Sequence, residues 1–294
     1  MFKYIDSGLT TWDAADIYGP AELVTREFRK QYRAKYGKDP EMQVFTKYVP
    51  RPGDMPFELI QAAVDKRIER LGVDRIDLLQ FHWWDYSNKQ YIEAMTHMKT
   101  LKEQGKIRNL ALTNFDTEHM RELVEEHNIP IVSNQVQFSM LDRRPLNKMT
   151  TFAQKHDIQL LAYGVLCGGL LTDKYLGMGD PTETLDTASK QKYWYGTINE
   201  WGDWALFQRL LRTLRDVADR HNVSIANVAE RYVLDQPQVA GIIIGARLSR
   251  GEHIDENLRV YNLKLTEDDY RAINGVLEQG KMLKGDCGDE YRRY

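Results

Sequence analysis

Four polar side chains near the ends of short apolar runs could together protonate a carbonyl group while a separate donor delivers a hydride to it. They are Asp13 and Tyr18 in DAADIY, Lys47 in VFTKY and His82 in LLQFHWWD. A tyrosine is a poor acid near neutral pH unless a nearby cation favours its phenolate. We therefore expect Lys47 to lower the pKa of Tyr18, and Asp13 to hold the ammonium in place. His82 is expected to donate a hydrogen bond to the substrate oxygen and stabilise the negative charge that develops there.

The elements that position these residues alternate between strand-like and helix-like segments. Seven β-rich runs lie at residues 9–13, 43–48, 77–82, 107–115, 131–138, 158–164 and 240–246. Amphipathic segments lie between them, for example at 56–70, 89–104, 116–127 and 146–156. This alternation predicts a parallel sheet covered by helices. Asp116, Ser224 and Thr266 are predicted to begin helices, and Thr266 is predicted to form a capping box with Asp269.

Length and composition favour one large globular domain spanning residues 1–294. A barrel of alternating strands and helices typically takes about 250 residues. The formal net charge of −3 gives no general attraction to nucleic acid or to an anionic membrane. The two cysteines and seven histidines show no metal-ligand spacing, so we expect no metal and a reducing compartment. Without a segment typical of a signal peptide, the cytoplasm is the expected location.

Two segments interrupt the alternation. Residues 172–204 are rich in Gly, Asp and Thr and then in aromatic residues, which predicts a long loop. Such a loop at the carboxyl ends of barrel strands is a candidate lid or substrate wall, and a disordered insertion is the alternative. The tail from about residue 278 either folds over the mouth of the barrel or stays mobile.

The polar motifs resemble those of the aldo-keto reductase family of NAD(P)H-dependent oxidoreductases over nearly the whole chain. DAADIYG resembles the family's DTAxxYG segment, VFTK its lysine strand and DLLQFHWW its histidine strand. The resemblance implies a (β/α)8 TIM barrel in which Asp13, Tyr18, Lys47 and His82 form the catalytic tetrad. Asp16 competes with Asp13 for its place, but only Asp13 has the five-residue spacing to the tyrosine.

Other segments resemble the cofactor-binding elements of the family. IRNLALTNF resembles GxIRxIGVSNF, SNQVQF resembles the NQV segment, and LAYGVLCGGLLTDKY resembles AYSPLxxGLLTGKY. IIIGAR and ENL resemble IPGAR and ENL, with two extra residues between them. The resemblance implies NADPH as cofactor, with NAD possible. It places Thr113, Asn114 and Gln135 at the nicotinamide carboxamide, Tyr163 under the ring, the backbone around Leu166, Gly168 and Leu170 near the pyrophosphate, Arg247 at the 2′-phosphate, and Glu256 and Asn257 at the adenine.

The resemblance begins part-way into the family's pattern, in what would be the tail of its first helix. We therefore expect seven strands, with the first strand of the barrel missing. A parallel barrel lacking one strand has two unpaired edges. Three functions remain open: reduction of an aldehyde or ketone or the reverse oxidation, a non-catalytic nucleotide-binding regulatory subunit, and an inactive truncated reductase. The pattern identifies neither the carbonyl or alcohol substrate nor the oligomeric state.

Overall fold

The structure is a computed structural model that describes residues 1–246, 248 and 253–292. Each predicted β-rich run overlaps a strand, and the third and seventh strands begin one residue before their runs. The strands are β1 Thr11–Asp13, β2 Gln43–Tyr48, β3 Ile76–Phe81, β4 Ile107–Thr113, β5 Ile131–Gln137, β6 Gln159–Tyr163 and β7 Val239–Ile243. They follow one another in chain order in a seven-stranded sheet. The pairing is parallel, as the strand–helix alternation predicts; for example, Lys47 on β2 lies opposite Gln80 on β3.

Helices connect the strands. They are α1 Phe2–Asp6, α2 Ala21–Tyr36, α3 Phe57–Leu71, α4 Gln90–Glu103, α5 Thr117–Arg121, α6 Met149–Lys155, α7 Ala188–Tyr193, α8 Asn199–Trp201, α9 Trp204–His221, α10 Ile225–Leu234, α11 Ile254–Leu258 and α12 Glu267–Leu277. The predicted helix starts are confirmed. Asp116 and Ser224 accept backbone N–H bonds at the starts of α5 and α10, and Thr266 forms the capping box with Asp269.

The chain divides into two compact units. The first unit contains Met1–Gln135, Lys155–Gln159 and the described C-terminal residues Tyr291 and Arg292. The second unit contains Val136–Gln154 and Leu160–Glu290. It has a large apolar core in which α9, α10 and α12 pack against one another.

Residues 172–204 are largely structured, although their composition predicts a long loop. They contain α7, a π-helix at Trp194–Ile198 and α8. The side chains of Tyr193, Trp194 and Trp201 are buried in the apolar core of the second unit. Aromatic residues bury enough surface to fix a segment in this way. The aromatic residues of this segment therefore contribute to packing, and three of the largest are not available as an open pocket wall.

Candidate active site

An ion pair between β1 and β2 forms the base of the candidate site. Lys47 Nζ lies 2.5 Å from Asp13 Oδ2 and 3.0 Å from the carbonyl oxygen of Ala14. The Lys47 side chain is 4% exposed and that of Asp13 is 14% exposed. Burial lowers the pKa of Lys47, and the Asp13 carboxylate opposes this effect. The competing carboxylate, Asp16, pairs instead with Arg67. The aspartate five residues before Tyr18, Asp13, is therefore the one that contacts Lys47.

Two buried glutamines hold the other oxygen of Asp13. Gln80 Nε2 donates to Asp13 Oδ1 at 2.9 Å, and Gln135 Nε2 donates to the same oxygen at 2.8 Å. Gln135 also donates to Gln80 Oε1 at 2.7 Å. Gln80 was not among the site residues expected from the sequence. The available signal was a polar residue in an apolar strand two positions before His82, because residues at i and i+2 of a strand point to the same face.

Tyr18 lies at the open side of this ion pair. Its side chain is half exposed, and the Lys47 ammonium lies 5.0 Å from the centre of its ring. Burial and the negative charge of Asp13 raise the pKa of Tyr18 to about 12, with smaller contributions from Tyr291 and Asp16. This direction is opposite to the expected lowering by Lys47. The physical reason is that burial disfavours the charged phenolate and the carboxylates of Asp13 and Asp16 repel it.

His82 follows β3 and has an unusual environment. It is 3% exposed, and within the described residues neither ring nitrogen has a hydrogen-bond partner. The ring lies 4.3 Å from that of Trp84. Burial lowers the pKa of His82 to about 3, with further lowering by Arg292 and Lys47. The imidazole is therefore neutral near pH 7, and one of its nitrogens is an available hydrogen-bond donor.

The low pKa of His82 predicts an acid-sensitive stability. The pKa in the folded chain is below the unfolded value of about 6.5, so between these values the unfolded chain binds more protons. Stability should be fully present above pH 6.5 and fall as the pH decreases towards 3, by up to about 1.4 kcal/mol per pH unit. Urea denaturation at several pH values should show a shallower acid decline in His82→Gln. The matched control is the exposed His253→Gln, and equal declines in all three proteins would contradict the prediction.

The C-terminal residues contribute to the site in the first unit. The Tyr291 ring lies 5.8 Å from that of His82. The Arg292 guanidinium lies 4.0 Å from the centre of the Tyr86 ring and donates to the Tyr86 hydroxyl at 2.6 Å and to the carbonyl oxygen of Asn114. The position of the tail could not be predicted from the sequence, because DEYRRY has neither periodicity nor a recognisable spacing. The structure therefore adds Tyr291 and Arg292 to the surroundings of His82.

The residues expected at the nicotinamide carboxamide lie together where β4 and β5 end. Thr113 Oγ1 donates to the Gln135 carbonyl oxygen at 3.2 Å, and the Asn114 N–H donates to the same oxygen at 2.8 Å. Asn114 has a φ of 57°, in the left-handed region that asparagine tolerates better than most residues. All three side chains are buried. Their hydroxyl and amide groups are chemically suited to a carboxamide, which both donates and accepts hydrogen bonds.

The expected ring platform and pyrophosphate segment lie in the second unit. Tyr163 ends β6 and donates to Glu290 Oε1 at 3.3 Å, while Lys192 Nζ lies 5.2 Å from the centre of its ring. Gly168 has a φ of 67°, and a Cβ there would lie 3.0 Å from the Tyr193 ring, so this turn favours glycine. Leu166 is half-buried, whereas Leu170 is fully buried and its N–H donates to the Cys167 carbonyl oxygen.

Two of the three residues expected at the adenosine end, Glu256 and Asn257, lie on α11. The Glu256 carboxylate lies 2.9 Å from His253 Nδ1, and its backbone carbonyl accepts a bond from Asn227 at 2.9 Å. Asn257 is half-buried on the same helix. Arg247 lies outside the described residues, so the structure gives no position for the expected 2′-phosphate contact.

Comparison with known proteins identifies the family. The sequence profile described as the aldo/keto reductase family matches residues 1–278. The chain belongs to the aldo/keto reductase family. Two similar relatives are from Bacillus subtilis. The uncharacterized oxidoreductase YqkF is 30% identical over 75% of this chain and 66% of its own length, and the aldo-keto reductase YhdN is 28% identical over 93% of this chain and 81% of its own length.

A solved aldo-keto reductase supports the same fold. The structure of the glycerol dehydrogenase AKR11B4 from Gluconobacter oxydans matches with a TM-score of 0.77 and 26% identity, over 95% of this chain and 84% of that one. This similarity confirms the predicted (β/α)8 class, and the described residues contain the seven strands that the sequence predicts. Aldo-keto reductases are oxidoreductases that use nicotinamide cofactors, which agrees with the cofactor class implied by the motifs.

One acidic cluster lies outside this reductase site. Ligand atoms of Glu122, Glu126 and His127 lie within 4.8 Å of one another, although sequence spacing gave no metal pattern. The Glu122 carboxylate accepts bonds from Lys89 Nζ at 3.0 Å and from the Tyr91 hydroxyl. These partners already compensate its charge.

Within the described residues no helix is both long and apolar enough to cross a bilayer.

Proposed function

We propose that this protein reduces an aldehyde or ketone to an alcohol, or catalyses the reverse oxidation, with a nicotinamide cofactor. The observation that carries the proposal is the convergence of Tyr18, the Lys47–Asp13 pair and a buried neutral His82 in one unit of an aldo-keto reductase. A carbonyl oxygen at this place would provide the acceptor that the His82 ring lacks among the described residues.

Each side chain has a distinct part in the proposed reduction. When bound, the cofactor supplies a hydride, which brings the electron pair to the carbonyl carbon. The phenol of Tyr18 gives its proton to the carbonyl oxygen, and the raised pKa keeps that proton present at neutral pH. Lys47 stabilises the phenolate that remains, and Asp13 fixes the ammonium beside it. A neutral His82 orients the carbonyl through a hydrogen bond, and it stabilises the developing negative charge.

The residues at the ends of β4, β5 and β6 support the choice of cofactor. In the first unit, Asn114 and Gln135 would hold the carboxamide and Thr113 would support them. For the stacking platform, the family motif favours Tyr163 of the second unit. We favour NADPH over NADH because of Arg247, since a guanidinium can bind a 2′-phosphate with two parallel hydrogen bonds. This preference is based on the sequence motif.

The proposal is tested by cofactor titration and turnover with the full chain. We expect NADPH to quench intrinsic fluorescence with a lower Kd than NADH, and to be consumed when a panel of aldehydes and ketones is added. Arg247→Ala should weaken NADPH binding about tenfold or more, consistent with loss of about 1.4 kcal/mol or more, and change NADH binding little. Binding without turnover across the panel would instead support a regulatory nucleotide-binding subunit. Absence of binding to either cofactor would contradict the proposal altogether.

A further inference from the structure

A cavity of about 520 Å³ lies beside helix α2, and none of its lining residues belongs to the candidate active site. Its volume is in the range of small-molecule sites, about 300–1,000 Å³. Four of the seven lining residues are cationic and one is acidic. They are Leu23, Arg26, Glu27, Arg29, Lys30, Arg33 and Gly72. In a chain with a formal net charge of −3, this lining is a local excess of positive charge that favours an anion.

Arg29 is the most informative residue of this cavity. It is only 9% exposed, and its Nε has no hydrogen-bond partner within the described residues. Burial lowers the pKa of Arg29, and the carboxylates that oppose this are Asp77 and Asp39. Both carboxylates have other partners, since Asp77 accepts the N–H of Val44 at 3.0 Å and Asp39 pairs with Arg33. The Nε itself is shielded from solvent, but an anion in the cavity would offset the charge of the buried guanidinium that lines the wall.

Arg26 is held at the cavity wall by the end of α3. Its Nη1 donates to the Glu69 carbonyl oxygen at 3.2 Å. A Cβ at position 72 would lie 2.7 Å from Arg26 Cγ, so Gly72 makes room for the arginine stem, and its φ of 65° also favours glycine. The acidic lining residue, Glu27, accepts a bond from the Gln31 amide at 3.0 Å. The cavity thus has one buried arginine and one arginine fixed by packing.

We propose that this cavity binds the phosphate group of a small phosphorylated molecule. Arg29 contributes the buried guanidinium of the cavity wall, Arg26 contributes a second guanidinium, and the exposed Lys30 adds a third positive charge. Phosphate suits this set because it is dianionic near neutral pH and matches the planar fork of arginine. Leu23, which is 43% exposed, gives an apolar wall for the rest of the molecule. The site is independent of the redox reaction proposed above.

The Nε–H signal of Arg29 reports on an anion that binds beside its guanidinium, and ¹⁵N NMR can follow this signal. Inorganic phosphate and glycerol 3-phosphate would be titrated into the full chain at constant ionic strength, and the Arg29 signal would be assigned by its loss in Arg29→Lys. We expect a saturable shift of this signal, with tighter binding of glycerol 3-phosphate. Affinity, followed on backbone signals of α2, should fall at least tenfold in Arg29→Lys and severalfold in Lys30→Gln. Arg271→Gln removes an exposed positive charge elsewhere and should leave affinity unchanged.

Three results would overturn the proposal. The first is a shift that sodium chloride reproduces at the same ionic strength. The second is equal affinity in the wild type, Arg29→Lys and Lys30→Gln, which would place the phosphate elsewhere. The third is binding of glycerol 3-phosphate no tighter than that of inorganic phosphate. If Arg29→Lys does not fold, the test remains decisive through Lys30→Gln, because Lys30 is exposed and its replacement leaves the buried residues intact.

Discussion

Replacing Tyr18 with phenylalanine is expected to lower kcat/KM for carbonyl reduction by about 10²- to 10⁴-fold, the usual contribution of a general acid. The change removes one hydroxyl from a half-exposed ring and keeps the ring itself. Cofactor binding should therefore be preserved, because Thr113, Asn114 and Gln135 are untouched. NADPH consumption with the best substrate of the panel gives kcat/KM, and fluorescence titration gives the cofactor Kd.

Tyr195→Phe is the matched control for this experiment. Tyr195 is 55% exposed and lies on the π-helix of the second unit, so the same chemical change there should leave turnover unaltered. Turnover that survives Tyr18→Phe within a factor of about three would remove Tyr18 from the role of proton donor, since the expected loss is far larger. An equal loss in both variants would point to a general effect on the protein instead.

Breaking the Lys47–Asp13 pair is expected to destabilise the fold. Removal of one partner leaves an uncompensated charge in a buried position, which typically costs about 3–5 kcal/mol. Lys47→Met leaves the Asp13 carboxylate with the amide donors of Gln80 and Gln135, so its cost should be at the lower end. Asp13→Asn leaves the Lys47 ammonium without its carboxylate partner, while the bond to the Ala14 carbonyl oxygen stays. This substitution should therefore destabilise the fold more than Lys47→Met does. Urea denaturation would measure both losses.

A double-mutant cycle separates pairing from other effects of these substitutions. Asp13→Asn combined with Lys47→Met removes both charges, so it should recover part of the lost stability while carbonyl reduction stays abolished. Arg271→Met provides the control, because Arg271 and Asp268 form an ion pair that is about 75% and 82% exposed and should contribute at most about 1 kcal/mol. Strictly additive losses from Asp13→Asn and Lys47→Met would show that the two residues are not coupled.

Sequence periodicity predicted the strands well, because each buried parallel strand is a short apolar run between turn residues. All seven strands lie within or beside their predicted runs. The helix starts at Asp116, Ser224 and Thr266 were predictable for a similar reason, since a cap is a local interaction between neighbours in the chain. Residues 172–204 were not, because their Trp and Tyr side chains are ordered by contacts with distant helices.

The candidate site was predictable in its residue types but not in its electrostatics. Spacing predicted that Asp13 contacts Lys47, while the direction of the Tyr18 pKa depended on burial and on the carboxylates around the phenol. Burial and the arrangement of neighbouring charges are three-dimensional properties that residue order does not contain. The positions of Tyr291 and Arg292 depend on contacts more than 170 residues away in sequence, as in the bond from Arg292 to Asn114 at a separation of 178 residues.

Both amide protons of Gln135 are already engaged, one by Asp13 and the other by Gln80. A carboxamide oxygen that accepts either proton must compete with Asp13, a member of the proposed tetrad, or with Gln80. Occupation of the carboxamide position and the hydrogen bonding of Asp13 are therefore thermodynamically linked, and the linkage is reciprocal. Through Gln135, the hydrogen bonding of Asp13 should therefore differ between the cofactor-free and the cofactor-bound protein.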